Sequence, residues 1–364
     1  MRTRVLVARL DSDGDVLVSG PAVRAAAAGR GLPADVTVLC GPNGRQAADL
    51  LPGVARVLEW RCPWIVADPP PVNAPEVLDF VTLLAEQQFD VALVLTSFHQ
   101  SPLPLALLLR LAGVPEIAAI SVDYPGSLLD HRVGDDDRPE PERALLVAQA
   151  AGFALPPDDD GALRIVEPVP AKQSEPHVVV HPGAAVPARA WSPERCAEAV
   201  VALRAEGWQV LVTGGPREKD LTARVAGDAG VDLGGRTSYR ELAGVLAGAA
   251  AVVVGNTGPA HLAAAVGTPV VSLFAPVVSA VRWAPYRVPH IVLGDQNAAC
   301  RDSRARECPV PGHPCLNSVH ANEVVAAVTR LAGGPDAQRA GVARTRLVDE
   351  RVRPGRPPLL AADR

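Results

Sequence analysis

The sequence predicts an α/β protein made of two doubly wound parallel sheets in tandem. Three observations lead there. Short Val- and Leu-rich runs alternate with helical segments from the first residues onward, the pattern of repeated βαβ units. Hydrophobic residues make up 48% of the 364 positions but aromatics only 4%, so the core must be Val, Leu and Ala, which suits helices packed on buried parallel strands. The alternation is interrupted once, by a stretch rich in Pro and acidic residues, and then restarts; a length of 364 residues also favours two domains over one core.

In order, "RVLVARL" is a strand, "DSDGD" a polar loop and "VLVSGPAVRAAAAGRG" a helix once past Pro21. Residues 34–41 read as the next strand and "RQAADLL" as its helix; "EVLDFVTLLAEQQ" is an amphipathic helix leading into a strand at 89–97. "PLPLALLLRLAGV" is a further helix before a strand at 116–122. "GDDDRPEPER" and residues 156–176 carry the Pro and acidic residues, with the helical "ERALLVAQAAG" between them. The expected boundaries are a first unit at 1–165, a linker at 166–176, a second unit at 177–332 and a largely mobile tail at 333–364. Within the second unit "HVVVHPG", "WQVLVTGGP", "AVVVGN" and "PVVSLFAP" are strands. Ser192 caps the helix after the first, and Ser238 with Glu241 forms a capping box for another.

A net charge of −5 argues against a chain that coats nucleic acid. The amino terminus has too short an apolar run for a signal peptide, and no stretch offers the roughly 18–20 uninterrupted apolar residues of a membrane span, so a cytoplasmic location is expected. The six cysteines then read as free thiols. Cys300, Cys308 and Cys315 with His313 are open to zinc, to packing or to a conditional disulfide; their spacing lacks the close pairs of strong zinc signatures.

Ligands of open parallel sheets bind at the carboxyl ends of the strands. Four loops there are unusual in the second unit: His181, Pro182, Gly183 and Ala184 in "HPGAAVPARAW"; Thr213, Gly214, Gly215 and Glu218 in "TGGPRE"; Thr237 in "GGRTS"; and Asn256, Thr257, Gly258 and His261 in "GNTGPAH". Their glycines let backbone approach a ligand, and the helix N-termini that follow favour an anion such as a diphosphate, with Arg189 as a charged clamp. Any one loop alone reads first as a turn, and it is the coincidence of four that points to a ligand; His181 and His261 read equally as packing residues. In the first unit Asp11, Asp13 and Asp15 crowd the first βα junction beside Gly14, where they read as a general base, as Mg²⁺ ligands or as a solvated turn with Asp15 capping the helix.

Together "RLDSDGDVLVSGPAVRA", "HPGAAVPARAWSPERCAEAV", "TGGPREKDL", "DLGGRTSYRELAGVLAGA" and "NTGPAHLAAAVGTPVVSLFAP…RWAPY" resemble, in order, the signatures of glycosyltransferase family 9, the ADP-heptose:lipopolysaccharide heptosyltransferase-like family. The resemblance runs from about residue 4 to 332, with gaps through 42–175. It implies a GT-B fold, two Rossmann-like domains facing across a cleft, and a metal-independent inverting transfer without a cofactor. It implies a nucleotide diphosphate sugar as donor, an ADP-sugar favoured, and a glycan or lipid-linked acceptor that would allow peripheral contact with the inner face of the membrane. By the same resemblance Asp15 is the catalytic base, with Asp11, Asp13 and Gly14 on the acceptor side. Arg189 stands where the family usually has a phosphate-binding lysine. Glu218 lies near the donor ribose, Thr237 near the base, and Asn256, Thr257, Gly258 and His261 at the diphosphate and sugar. Asn256 replaces the Asp of many members. The competing readings are a nucleotide-sugar epimerase or hydrolase of the same fold and a non-catalytic nucleotide-sugar binding protein.

Overall fold

The structure is a computed structural model and describes residues 2–66, 68–97, 99–168 and 175–339. In the first half β1 (Arg4–Arg9), β2 (Asp35–Cys40), β3 (Val54–Glu59), β4 (Val91–Val94), β5 (Glu116–Ile120) and β6 (His131–Val133) form one parallel sheet in the order β3-β2-β1-β4-β5-β6. In the second half β7 (His177–His181), β8 (Gln209–Val212), β9 (Val231–Asp232), β10 (Ala251–Gly255), β11 (Val270–Leu273) and β12 (His290–Leu293) repeat that winding as β9-β8-β7-β10-β11-β12, again parallel. This is the two-sheet, doubly wound α/β architecture expected of the sequence.

The connecting helices of the first half are α1 (Asp13–Val18), α2 (Gly20–Ala28), α3 (Arg45–Ala48), α4 (Ala74–Gln87), α5 (Leu103–Leu111) and α6 (Glu140–Ala150). Those of the second are α7 (Pro193–Ala205), α8 (Lys219–Ala226), α9 (Tyr239–Ala247), α10 (Gly258–Ala265), α11 (Ala280–Trp283), α12 (Pro314–Asn317), α13 (Ala321–Ala332) and α14 (Pro335–Arg339). The strand runs are apolar on both faces because helices cover both faces: Val5, Leu6 and Val7 of β1 and Val252, Val253 and Val254 of β10 are fully buried. Ser192 accepts from the Arg195 N–H to start α7, and Ser238 with Glu241 closes the first turn of α9. One apolar cluster runs through both halves, from Val16, Leu17 and Ala22 to Ala243, Ala260 and Leu262, so α1 packs directly on α10.

Several expectations are corrected. The polar "DSDGD" is not a loop: Ser12 precedes α1, and Asp13 to Asp15 are its first turn. The helix begins before Pro21, in two pieces, because Ser19 is still αR and Pro21 occupies an early position where a missing N–H costs nothing. Strands β3 and β6 went unrecognised, the first because it is half exposed and carries Arg56 and Glu59, the second because it spans three residues. The acidic stretches are partly internal: Glu140 is buried and Asp159 pairs with Arg24 at 2.6 Å, while Asp137 and Asp160 stay exposed. Leu163 and Phe153 are buried beside them. Residues 169–174 of the expected linker and 340–364 of the expected tail lie outside the described residues.

Candidate functional site

The chain order reverses between β1 and β4 and again between β7 and β10, and at the carboxyl ends of these four strands lies a cavity of about 510 Å³. Both halves line it. The first contributes Asp11, Ser12, Gly14, Asp15, Ser97 and His99; the second contributes Val186, Arg189, Asn256, Thr257, Gly258, His261, Val278, Trp283, Ser303, Arg304 and Arg306.

Its floor is an ion cluster around Arg9, the last residue of β1 and 2% exposed. The Arg9 Nη2 donates to Asp15 Oδ1 at 2.8 Å and to Ser97 Oγ at 2.9 Å, while its Nε lies 3.0 Å from Asp11 Oδ2. The other oxygen of Asp15 accepts from the Ser12 N–H and hydroxyl at 3.2 and 2.6 Å. Asp15 therefore both closes the first turn of α1 and faces the cavity. Burial would raise its pKa, but Arg9 and the Ser12 hydrogen bonds outweigh burial and hold it below the ordinary aspartate value. Asp11 goes the other way, pushed up to about 6 by burial and by the charge of Asp15, against Arg9 and a hydrogen bond from Gln100. Two carboxylates on one guanidinium thus differ in proton affinity, Asp11 being the first to take a proton as pH falls and Asp15 staying ionised below that.

The roof belongs to the second half. Asn256 and Thr257 follow β10 and lead into α10, whose first residue is Gly258. Asn256 Oδ1 accepts weakly from the Ala275 N–H at 3.4 Å. Four lining residues carry a buried polar atom with no hydrogen-bond partner among the described residues: Asn256 Nδ2, His261 Nδ1, Arg189 Nε and Trp283 Nε1. Groups left so would be costly unless a ligand meets them. Burial pushes His261 down to about 4, with Arg189 and Arg9 acting in the same sense against Asp15, so the ring is neutral at physiological pH. Burial also lowers the pKa of Arg189, opposed by Asp15, and His99 is lowered by burial and then by Arg304.

The remaining sequence candidates sit elsewhere. Asp13 is not in the cavity lining and accepts from the Ala47 N–H at 3.0 Å, so the three acids of the first loop do not converge as a Mg²⁺ set would. His181 bonds Thr213 Oγ1 through Nδ1 at 3.0 Å, and its Nε2 lies 4.0 Å from Glu218. Glu218 accepts from the Gly215 N–H at 2.7 Å and lies where Gly183 has no side chain. Pro182, Gly183, Ala184, Thr213, Gly214, Gly215, Glu218 and Thr237 are likewise absent from the lining and belong to loops of the second half.

Sequence reasoning missed Arg9, Ser97, His99, Trp283, Ser303, Arg304 and Arg306. Arg9 carried a signal, a charge closing an apolar strand. Arg304 and Arg306 were hidden inside the cysteine segment, whose Cys300 and Cys315 instead face the core at 3% and 1% exposure. Among the described residues no group of three or more His, Cys, Asp or Glu is placed to hold a metal ion.

Fold and cavity define a two-sheet α/β protein with a cleft lined from both of its halves. The family model described as glycosyltransferase family 9 (heptosyltransferase) matches residues 77–313, more than half of the chain, and the chain belongs to that family. Lipopolysaccharide heptosyltransferase 3 of Escherichia coli is 30% identical over 164 residues, 43% of this chain and 46% of that protein, so the match spans about half the curated relative's length. Among solved structures, the E. coli ADP-heptose lps heptosyltransferase II aligns with a TM-score of 0.69 at 20% identity, covering 91% of this chain and 98% of that one. The E. coli heptosyltransferase WaaC with ADP aligns at 0.67 and 21%, covering 90% and 99%. These two likenesses show the fold, which is GT-B.

Proposed function

We propose that this chain is a metal-independent, inverting glycosyltransferase that moves a sugar from a nucleotide diphosphate sugar, ADP-heptose in the first instance, to a hydroxyl of a glycan or lipid-linked acceptor. The observation that carries the reading is the placement of Asp15 and of the Asn256–His261 turn in one cavity, from opposite halves. That placement supports reading Asp15 as the base and the Asn256–His261 turn as the diphosphate site.

In this reading the acceptor hydroxyl enters beside Asp15. Its oxygen attacks the anomeric carbon as its proton passes to the carboxylate, the new C–O bond forms, and the anomeric C–O bond to phosphate breaks with its electron pair leaving on the diphosphate. A single in-line displacement inverts the anomeric centre. The charge that builds on the diphosphate is met by Arg189, by the Gly258 N–H that opens α10 and by Asn256 Nδ2. Arg304 and Arg306 add positive potential at the rim. Asp11 and Gly14 lie toward the acceptor; Glu218 and Thr237 are proposed near the nucleoside. ADP is favoured as the nucleotide because heptosyltransferase WaaC of the same fold has been solved with ADP. A lipid-linked acceptor would place the protein at the inner face of the membrane as a peripheral partner; no described helix is long and apolar enough to cross it.

The test is transfer from ADP-heptose to a panel of oligosaccharide and lipid-linked acceptors in EDTA, with the product's anomeric configuration read by NMR. Inverted product supports the reading. Release of free sugar with every acceptor, or a strict need for metal, contradicts it.

A further inference from the structure

Arg282 crosses from the second half into the first. It lies on α11, one residue before the cavity residue Trp283. Its Nε stands 2.9 Å from Asp137 Oδ1, and its Nη1 stands 3.5 Å from Asp135 Oδ1 and 3.8 Å from Glu140 Oε1. The Arg282 side chain is 11% exposed and that of Glu140 is 2% exposed. Glu140 faces two more guanidiniums, with Arg143 Nε at 3.0 Å and Arg9 Nη1 at 3.6 Å; Arg143 is also paired with Asp135. A row of alternating charges, Arg282, Glu140, Arg9 and Asp15, therefore runs from the joint between the halves to the floor of the cavity. The same segment is fastened twice more, by the Tyr286 hydroxyl donating to Glu142 at 3.0 Å and by Arg287 donating to the Asp160 carbonyl.

We propose that Arg282 is a positioning residue: its docking among Asp135, Asp137 and Glu140 joins the two halves and leaves Arg9 directed at Asp11 and Asp15. The inference rests on the reading of Asp15 as base. A carboxylate as buried as Glu140 must be neutralised by its neighbours. Arg143 at 3.0 Å, Arg9 at 3.6 Å and Arg282 at 3.8 Å share the charge of Glu140, so that with Arg282 docked Glu140 does not depend on Arg9 and leaves it to Asp11 and Asp15. When the halves separate Arg282 withdraws, Glu140 draws Arg9, and Asp15 loses its strongest partner. Its carboxyl then holds a proton more tightly, while Ser12 still bonds it and Asp11, His261, Arg189 and His99 still face it. Closing the cleft and fixing Arg9 against the base become one event.

The experiment uses the full chain without substrate. The Asp15 carboxyl is titrated by carbon-13 NMR of Asp-labelled protein, assigned by its loss in Asp15→Asn, and the radius of gyration is measured by small-angle scattering. Arg282→Gln is expected to raise the Asp15 midpoint by about one pH unit and to enlarge the radius of gyration; Arg282→Lys restores both in large part. Adding Glu140→Gln to Arg282→Gln removes the charge that draws Arg9, so the Asp15 midpoint returns while the radius stays enlarged. An unchanged midpoint in Arg282→Gln overturns the positioning role, and a midpoint that stays raised in the double variant overturns the route through Glu140. Neither readout needs turnover. A wild type that binds ADP but transfers nothing counts against the transferase reading, and Arg282 is still judged on the carboxyl midpoint.

Discussion

Gly14 and Gly258 stand against each other across the joint between the halves: a Cβ on Gly14 would lie 3.0 Å from the Gly258 Cα and 3.2 Å from His261 Cδ2. Two helix starts, one bearing Asp15 and the other following Asn256, reach a single cavity because Gly14 has no side chain in the way, whereas a Cβ on Gly258 would make only ordinary contact at 3.5 Å from the Gly14 N. Gly14→Val is expected to hold the helices apart and weaken ADP binding by about tenfold or more, with Gly14→Ala milder, since a Cβ alone asks its neighbours to move a few tenths of an ångström. Calorimetry with ADP reads this, beside a circular dichroism spectrum showing that α1 still forms. Wild-type affinity in the valine variant would show that the close approach is not required.

Asp15→Asn keeps the shape and, with its amide oxygen toward Ser12, those contacts, but it gives up the Arg9 ion pair and the proton acceptor. Transfer is expected to fall by about 10²–10⁴-fold, the usual contribution of a positioned base, with ADP affinity unchanged within about threefold. Unaltered turnover would take Asp15 out of the base role.

Arg189→Ala is expected to raise the Kd for ADP by about 10–100-fold, the loss of charge-assisted bonds to phosphate, and to leave adenosine binding untouched. Arg189→Lys keeps the charge without the planar fork and should recover part of the affinity. An equal loss for adenosine and ADP would place Arg189 away from the phosphates.

The pH dependence of stability has a definite sign at Asp13. Burial pushes its pKa up to about 6 despite the bond from Ala47, so the folded chain binds this proton more tightly than the unfolded one. Its contribution is fully present below the unfolded value of about 4 and is lost as pH rises through about 6. Asp13→Asn retains an acceptor for Ala47 and cannot ionise, so its Tm should exceed the wild type's at pH 8 and the difference should shrink toward pH 4. His261 has the opposite sign: lowered to about 4, it contributes stability above about 6.5 that is lost as pH falls. A Tm difference between Asp13→Asn and wild type that does not vary with pH would remove Asp13 from this account.

How much of this was legible in the sequence depends on what each residue type announces locally. Ser192 and Ser238 cap helices by contacts within four residues, and β1, β7 and β10 are apolar on both faces, so their elements could be read directly. Asp11, Gly14, Asp15, Arg189, Asn256, Thr257, Gly258 and His261 meet at one cavity because each sits at the carboxyl end of a strand next to a point where the sheet order reverses, a placement that the alternation of elements already implied. What stayed hidden depends on distant partners. Glu140, Asp135 and Asp159 read from the sequence only as acids of Pro-rich stretches, and the fold alone shows Arg9, Arg143, Arg282 and Arg24 beside them. Asp13 could not be told from Asp11 by spacing, since the αR start of α1 turns one toward Ala47 and the other toward Arg9.

The most direct test of the central claim, that the cavity between the halves is a nucleotide diphosphate sugar site, is a calorimetric titration of the full chain with ADP in EDTA, run beside UDP, GDP and the Arg189→Ala variant. Saturable one-site binding of ADP that survives EDTA and is weakened about tenfold or more in Arg189→Ala is the expected result. No binding of any of the three nucleotides, or binding indifferent to Arg189, would contradict the account.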